Sequence, residues 1–363
     1  MTLPFIPPAK PIIGDEEREA VDRVLRSGMI AQGPEVAAFE HEFSEHFGLG
    51  RACVAVNSGT SGLHLGLLSS GVKAGMEVIV PSFTFAATAN SVALTGATPV
   101  FADIALDDYT LDVDAVEAAI TDKTVAIMPV HLYGHPAKME ALRTLADKHG
   151  IMLFEDAAQA HGASLNGTPV GAFGEFAMFS LYPTKNMTSG EGGMVSAANA
   201  DIERNLRLYR NQGMLQQYHN EVVGLNNRMT DIHAAIGRVQ LTKVDAWTKT
   251  RQDNAAFLSS NLEGVVVPHV ADGAVHVYHQ YTIRVAEDRD GLSKALKDEY
   301  QVGSGMFYPV PNHRLKPFQV DKDLPNTEQA ALECLSLPVH PSLSQGDLER
   351  IVEAVNALAK AGA

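Results

Sequence analysis

Three short segments carry the residue types from which a reaction centre can be built. NSGTSG spans residues 57–62, EDAAQAHGA spans 155–163 and SLYPTKN spans 180–186. They supply hydroxyls among glycines, a carboxylate at Asp156 and an amine at Lys185. Each segment ends or directly follows an apolar run that is typical of a strand. Because ligands of open α/β sheets bind outside the carboxyl ends of the strands, the three segments are expected to share one crevice.

The segment NSGTSG suits an anion. A glycine-rich turn before a helix exposes backbone N–H groups, the helix N-terminus adds its positive dipole end, and three hydroxyl side chains lie beside it. No GK[ST] follows, so the segment is not a P-loop, and GxGxxG occurs nowhere in the chain. Taken alone, a plain tight turn with an N-cap explains this segment better.

Asp156 and Lys185 also have ordinary explanations when each is taken alone. Asp156 suits the N-cap of a following segment, and Lys185 suits a solvated loop. Gln159 and His161 lie close enough to Asp156 to line the same crevice, although a lone histidine is more often structural. A short-chain dehydrogenase is disfavoured, because its Tyr and Lys lie four apart on a helix, whereas Tyr182 and Lys185 lie three apart across a proline.

Taken together, the three segments are what pyridoxal phosphate (PLP) requires. The glycine-rich turn holds the phosphate, the lysine is a Schiff-base lysine, and the carboxylate keeps the pyridine nitrogen protonated so that the ring accepts electrons. The joint interpretation is preferred because the separate explanations require three independent coincidences.

Composition excludes several other classes of protein. The net charge of −15 is unfavourable for nucleic-acid binding, so cationic groups that hold an anionic substrate must be local. Cys53 and Cys334 are the only cysteines, and no metal site is predicted. No apolar run approaches the length of a membrane span, and we expect a cytoplasmic protein without membrane or nucleic-acid partners.

Alternating strands and helices predict an open α/β sheet in the first part of the chain. Short apolar runs predict buried strands at 52–56, 77–81, 98–104, 124–130, 151–156, 175–182 and 192–198. Helices are predicted at 112–120, 138–150 and, as one long element, 230–262.

The pattern changes towards the C-terminus. The alternation in 275–285 predicts a strand, followed by a helix at 289–300, a strand at 302–307 and a helix at 344–360. We therefore expect a large domain at 1–245 and a small α+β domain at 246–363, packed as one body.

The chain resembles the DegT/DnrJ/StrS family of PLP-dependent sugar aminotransferases over about residues 5–358. The resemblance rests on NSGTSGLHLGLL, VIVPSFTFAATANSV, PVHLYGHPAKM, EDAAQAHGA, SLYPTKNMTSGEGGMV, NNRMTDIHAAIGRVQL, VYHQYTIRV, FYPVP and LSLPVHPSLS. It implies an α/β protein of fold type I, with a mostly parallel seven-stranded sheet in the large domain. It also implies a homodimer with shared active sites.

The resemblance assigns roles residue by residue. Lys185 matches the Schiff-base lysine, Asp156 the partner of the pyridine nitrogen, and Gln159 a residue near the ring oxygen of the cofactor. The other matches are the stacking aromatic Phe85, the phosphate-binding Gly59, Thr60, Ser61 and Ser180, and Asn226, which reaches the phosphate of the other subunit's cofactor. On the substrate side we expect Arg228, Tyr308 and His313.

Departures from the family pattern lie on the substrate side. FYP at 307–309 stands where many relatives have HYP, and GLNNRM replaces the common GYNYRM. The presence of Lys185, where dehydratase members have histidine, implies a transaminase.

The expected reaction moves an amino group from L-glutamate, or glutamine, to a keto group of a nucleotide-linked deoxysugar. One alternative is a cyclitol or aminohydroxybenzoate type of member that acts without a nucleotide. Another is a regulator that binds PLP without turnover, and the intact pair of Asp156 and Lys185 argues against it.

Overall fold

The computed structural model describes residues 4–361. Its helices are α1 (Asp15–Ser27), α2 (Pro34–His46), α3 (Gly59–Ser69), α4 (Ala87–Leu94), α5 (Val113–Ala119), α6 (Met139–His149), α7 (Ala200–Arg210), α8 (Asp231–Leu241), α9 (Val244–Asn261), α10 (Arg289–Tyr300), α11 (Pro325–Glu333) and α12 (Gln345–Ala361). Short 3₁₀ turns lie at Leu132–Gly134 and Asn312–Arg314.

The strands are mostly short. They are β1 (Ala52–Val56), β2 (Glu77–Pro81), β3 (Thr98–Ala102), β4 (Thr124–Ile127), β5 (Met152–Leu153), β6 (Glu155–Asp156), β7 (Ser164–Leu165), β8 (Thr168–Pro169), β9 (Phe176–Ser180), β10 (Gly193–Ala197), β11 (Met214–Gln216), β12 (His219–Asn220), β13 (Ala274–Val275), β14 (Tyr281–Arg284) and β15 (Cys334–Leu337).

The main sheet has seven strand positions. The sets β3-β2-β4-β5 and β1-β10-β9-β6 join, because β5 and β6 are successive parts of one extended segment and Val130 pairs in parallel with Asp156. All neighbours are parallel except at β10, which is antiparallel to both β9 and β1. The expected α/β fold with a mostly parallel seven-stranded sheet is therefore confirmed.

The sheet is buried on both faces, which is why its strands are continuously apolar. Successive side chains of a strand point to opposite faces, and β1 shows the result. Val54 and Val56 belong to one hydrophobic cluster, whereas Cys53 and Ala55 belong to the cluster on the other face. Helices therefore cover both faces, and polar groups have room only at the strand ends.

The predicted long helix at 230–262 is wrong in one respect, because the chain forms two helices there. At the junction, the N–H groups of Thr242 and Lys243 bond three residues back, which tightens the chain between α8 and α9. Glu17 fixes this turn, since its Oε1 accepts hydrogen bonds from Gln240 at 2.7 Å and from Lys243 at 2.9 Å. A contact with α1, distant in sequence, thus ends α8.

The predicted strand at 275–285 is also wrong over its first half. Tyr278 has φ +44°, outside the extended region, so β13 and β14 are separate and join different sheets. The predicted strand at 302–307 is reduced to isolated pairs, Ile6 with Val302 and Gly305 with Ser336. The helices predicted at 289–300 and 344–360 are confirmed within one residue at each end.

The C-terminal part builds its own hydrophobic cluster around β14 and β15. Leu258, Tyr281, Leu335 and Ile351 belong to it, and so does Ile6 from the other end of the chain. Residue 246 lies inside α9, and the domain boundary expected there stays a prediction.

We expect Asp231→Ala to lower the free energy of unfolding by about 3 kcal/mol, because three N–H groups at the start of α2 lose a charged acceptor. Helix α2 has no side-chain cap of its own. Asp231 at the start of α8 replaces it, since Oδ1 accepts the N–H groups of Gly33 and Val36 and Oδ2 accepts that of Glu35. Urea unfolding measures the loss. Asp245→Ala, the control, removes only an exposed contact to His46 and should cost less than about 1 kcal/mol; equal losses contradict the capping role.

Candidate active site

One cavity of about 460 Å³ opens at the carboxyl ends of the parallel strands. It brings together residues from all three segments singled out by the sequence. The predicted site residues that line it are Gly59, Thr60, Phe85, Asp156, Gln159, Ser180, Lys185 and Tyr308. The structure therefore brings the three segments together, as the strand-end argument predicted, whereas Phe85 and Tyr308 were expected from the resemblance alone.

The glycine-rich turn forms the floor of the cavity. Ser58 caps α3, because its Oγ accepts the N–H of Ser61 at 3.1 Å, and the first N–H groups of α3 lie beside the cavity. A Cβ at Gly59 would lie 3.1 Å from Cβ and 3.3 Å from Oγ of Ser180. Glycine thus keeps a small polar cup open between the helix N-terminus and the end of β9.

Asp156 ends β6 and is buried, with 4% of its surface exposed. Oδ2 accepts the hydroxyl of Thr88 at 2.7 Å, and Oδ1 accepts the N–H of Ala158 at 3.2 Å. Burial raises the pKa of Asp156, and the hydrogen bonds of Thr88 and Ala158 and the charge of Lys185 oppose this rise. The carboxylate is held from two sides and still lines the cavity.

Lys185 follows β9, the sheet neighbour of β6, and its amine shares the cavity with Asp156. The turn that presents Lys185 is closed by its own N–H, which donates to the carbonyl of Tyr182 at 2.9 Å. Removal from bulk water lowers the pKa of Lys185 to about 8, although the nearby Asp156 raises it. An amine with this pKa is partly unprotonated near neutral pH and is therefore available as a nucleophile or base.

A directed chain of hydrogen bonds fixes Gln159. The backbone N–H of Tyr133 donates to Oε1 of Gln159 at 2.7 Å, so the amide orientation is set and Nε2 is the donor. Nε2 donates to the hydroxyl of Tyr308 at 3.1 Å. One proton of the Gln159 amide and the proton of Tyr308 remain to serve a ligand.

Phe85 lies at the mouth of the cavity with 59% of its surface exposed, although its apolar surroundings in sequence are typical of a core residue. Its ring centre lies 5.9 Å from that of Tyr308. An exposed aromatic side chain beside a cavity is a suitable surface for a flat ring.

Four predicted site residues lie outside the lining of this cavity. Ser61 contacts Ser58 within the turn, and Asn226 is exposed beside Asn211. Arg228 donates to Oδ1 of Asn211 at 2.7 Å. His313 is buried elsewhere, with Nδ1 2.6 Å from the hydroxyl of Ser82. The position of His313 thus gives no support to the expected substrate contact.

Sequence reasoning missed several residues of the site. Thr84, Tyr133, Glu191 and His279 line the cavity, and Thr88 supports Asp156 from behind. Thr84 follows β2 as Asp156 ends β6, so the strand-end argument applied to β2 would have found it. Glu191 and His279 lie in irregular segments, and although both fall within the quoted family-like stretches, no role was assigned to either from the sequence.

A mostly parallel seven-stranded sheet with a carboxylate and a lysine at two neighbouring strand ends defines the class of this protein. It is an aminotransferase of fold type I. The model of the DegT/DnrJ/EryC1/StrS aminotransferase family matches residues 11–356, and the chain belongs to that family.

Similar proteins agree with this assignment. The UDP-N-acetyl-3-dehydro-alpha-D-glucosamine 3-aminotransferase of Acidithiobacillus ferrooxidans is 40% identical over 94% of this chain and 93% of its own. The dTDP-3-amino-3,4,6-trideoxy-alpha-D-glucose transaminase of Streptomyces venezuelae is 42% identical over 94% of this chain and 91% of its own.

Solved structures share the whole fold. DesV of S. venezuelae superposes with a TM-score of 0.92 at 40% identity and covers 95% of each chain. NtdA of Bacillus subtilis, solved with bound cofactor PMP, has a TM-score of 0.92 at 28% identity and covers 99% of this chain and 85% of its own.

Competitive labelling of the cofactor-free protein with acetic anhydride, between about pH 6 and pH 11, should show Lys185 titrating near 8. The reagent acylates only unprotonated amines, and peptide mass spectrometry separates the lysines. Asp156→Asn should lower this midpoint further, because the carboxylate that raises the pKa of Lys185 is lost. Lys294 is the control, since Asp298 raises its pKa; equal midpoints for both lysines contradict the expectation.

Proposed function

We propose that this aminotransferase moves an amino group from L-glutamate, or glutamine, to a keto group of a nucleotide-linked deoxysugar. The observation that carries the proposal is the shared cavity of Asp156, Lys185 and the glycine-rich turn. The names of the relatives support the choice of a sugar nucleotide as acceptor, since one acts on a UDP-sugar and another on a dTDP-sugar.

The residues present fit pyridoxal phosphate. The N-terminus of α3 with Gly59, Thr60 and Ser180 would hold the phosphate, and Phe85 would lie against the ring. Asp156 would face the ring nitrogen and Gln159 the ring oxygen. When bound, PLP supplies an aldehyde that links covalently to amines and a ring that accepts electrons from the substrate carbon. The structure of NtdA contains PMP, which is the amino form of PLP, and supports the same cofactor here.

Lys185 and Asp156 do the proton chemistry. The Nζ atom of Lys185 would take the proton from the α carbon of the amino donor and would later give a proton to the acceptor carbon that bore the keto group. Its lowered pKa suits both tasks near neutral pH. Asp156, as the anion, holds a proton on the ring nitrogen throughout.

A homodimer is part of the proposal, because one chain provides few positive groups for a diphosphate. Among the described residues that line the cavity, Lys185 is the only lysine or arginine. The β11–β12 hairpin and the segment after it expose Leu215, Tyr218 and Val223, the last with 95% of its surface. A second copy that covers these apolar side chains would also meet the exposed Asn226, which resemblance directs to the other subunit's cofactor.

A cytoplasmic location completes the proposal. Cys53 and Cys334 are free and buried, which suits a reducing compartment. Within residues 4–361, no helix combines the length and hydropathy needed to cross a bilayer.

The first experiment is an absorption spectrum of the purified protein with PLP, before and after addition of L-glutamate. We expect a visible band from the lysine-bound cofactor, which glutamate replaces with the band of the amino form. A panel of keto-sugar nucleotides then restores the first band, and nucleotide-free keto rings do not. Restoration by keto rings alone would identify the acceptor as a free ring instead of a sugar nucleotide.

Lys185→Ala is the matched control for this spectrum. It should fold and bind PLP without the lysine-bound band, and its half-reaction with glutamate should slow by about 10²- to 10⁴-fold, because the base is lost. Wild-type speed in this variant would remove Lys185 from its proposed role. A stable visible band in the wild type that glutamate leaves unchanged would contradict the proposed donor.

Val223→Asp should weaken self-association and, with it, affinity for PLP, because a charge enters the proposed apolar contact. Leu332→Asp is the control, since Leu332 is also exposed, at 71%, but lies on α11 away from the hairpin. Analytical ultracentrifugation measures the mass of each variant. A Val223→Asp protein that associates like the control places the dimer contact elsewhere.

A further inference from the structure

The carboxylate of Asp156 depends on a buried hydroxyl. Thr88 has 1% of its surface exposed and donates from Oγ1 to Oδ2 of Asp156 at 2.7 Å. The backbone N–H of Ala158 bonds the other oxygen at 3.2 Å, so Thr88 is the only side chain that bonds this carboxylate among the described residues. Thr88 itself does not line the cavity.

The direction of each proton in this group follows from counting donors. An ionised carboxylate only accepts, so the single hydroxyl proton of Thr88 points to Asp156. The hydroxyl of Thr84 lies 3.4 Å from that of Thr88 and must therefore be the donor in that contact. Two hydroxyls thus form one directed chain, which runs from Thr84 at the cavity lining through the buried Thr88 to Asp156.

We propose that Thr88 is a positioning residue, whose hydroxyl fixes Asp156 in the ionised form and in the orientation that holds a proton on the ring nitrogen of the cofactor. This inference rests on the proposed function. Thr88 touches neither cofactor nor substrate and acts through Asp156 alone.

The physical reason is the cost of burying a charge. A carboxylate removed from water loses its hydration and favours the neutral form unless donors replace the lost water. With Thr88 in place, two fixed donors hold Oδ1 and Oδ2, and a lone pair remains for the ring. Without the hydroxyl, the proton between Asp156 and the ring nitrogen moves towards Asp156. The ring then loses positive charge and accepts electrons less well.

Three variants of Thr88 separate the hydroxyl from packing. Thr88→Val keeps the shape and removes the donor, Thr88→Ala removes both, and Thr88→Ser keeps the donor. Each is loaded with PLP carrying isotope-labelled ring nitrogen. In the valine and alanine variants we expect the nitrogen NMR signal to shift towards the unprotonated position. The rate of the half-reaction with glutamate should fall by roughly 10- to 100-fold, the range expected for losing a hydrogen bond to a charge.

The serine variant should keep the wild-type nitrogen signal and a rate within about threefold of wild type, because a hydroxyl donor remains. Thr110→Val is the matched control: Thr110 is buried and its hydroxyl donates to Asp108 at 2.8 Å, yet neither residue lines the cavity. This control should lose stability and leave both the signal and the rate unchanged.

Two outcomes overturn the inference. One is a wild-type nitrogen signal in Thr88→Val or Thr88→Ala, and the other is a serine variant as impaired as the valine variant. If the valine variant does not fold, the comparison of Thr88→Ala with Thr88→Ser decides. A wild-type protein that forms no lysine-bound band with PLP contradicts the proposed function itself, so the two failures are distinguishable.

Discussion

The structure depends on burying two adjacent carboxylates at the centre of a hydrophobic sheet. Glu155 and Asp156 form β6, and their side chains point to opposite sides because strand residues alternate. Glu155 is fully buried, and its oxygens accept three backbone N–H groups, from Gly171, Phe173 and Gly174. Since each buried carboxylate needs its own donors, two separate sets of contacts, one around Glu155 and one around Asp156, meet at this point of the chain.

His131 links these two sets of contacts. Its Nδ1 accepts the N–H of Ala137 at 2.9 Å, so Nε2 carries the ring proton and faces Oε2 of Glu155 at 3.1 Å. Its backbone N–H donates to the carbonyl of Asp156 at 3.0 Å. One residue therefore holds both Glu155 and the end of the strand that presents Asp156.

The sequence was sufficient wherever a local pattern decides the structure. Strand ends located Asp156 and Lys185, because apolar runs and the polar residues after them are visible in the chain itself. Contacts between distant segments were not visible. Thr88 lies 68 residues from Asp156, and Asp231 lies 198 residues from Gly33, whose N–H it accepts. The break between α8 and α9 and the positive φ of Tyr278 likewise depend on tertiary contacts, which override local periodicity.

The net charge of −15 makes the supply of positive charge the decisive question for an anionic ligand. The backbone supplies part of this positive charge, because the first N–H groups of α3 form a positive helix end without any cationic side chain. Lys185 would not add a lasting charge, since the base proposed here must lose its proton before it acts. The helix end can therefore meet part of the charge of a cofactor phosphate, whereas the described cavity lining holds no arginine and no other lysine that could meet a sugar diphosphate. In the proposed dimer a second copy would serve both ligands, since Asn226 would reach the cofactor phosphate and cations from outside this lining would meet the sugar diphosphate.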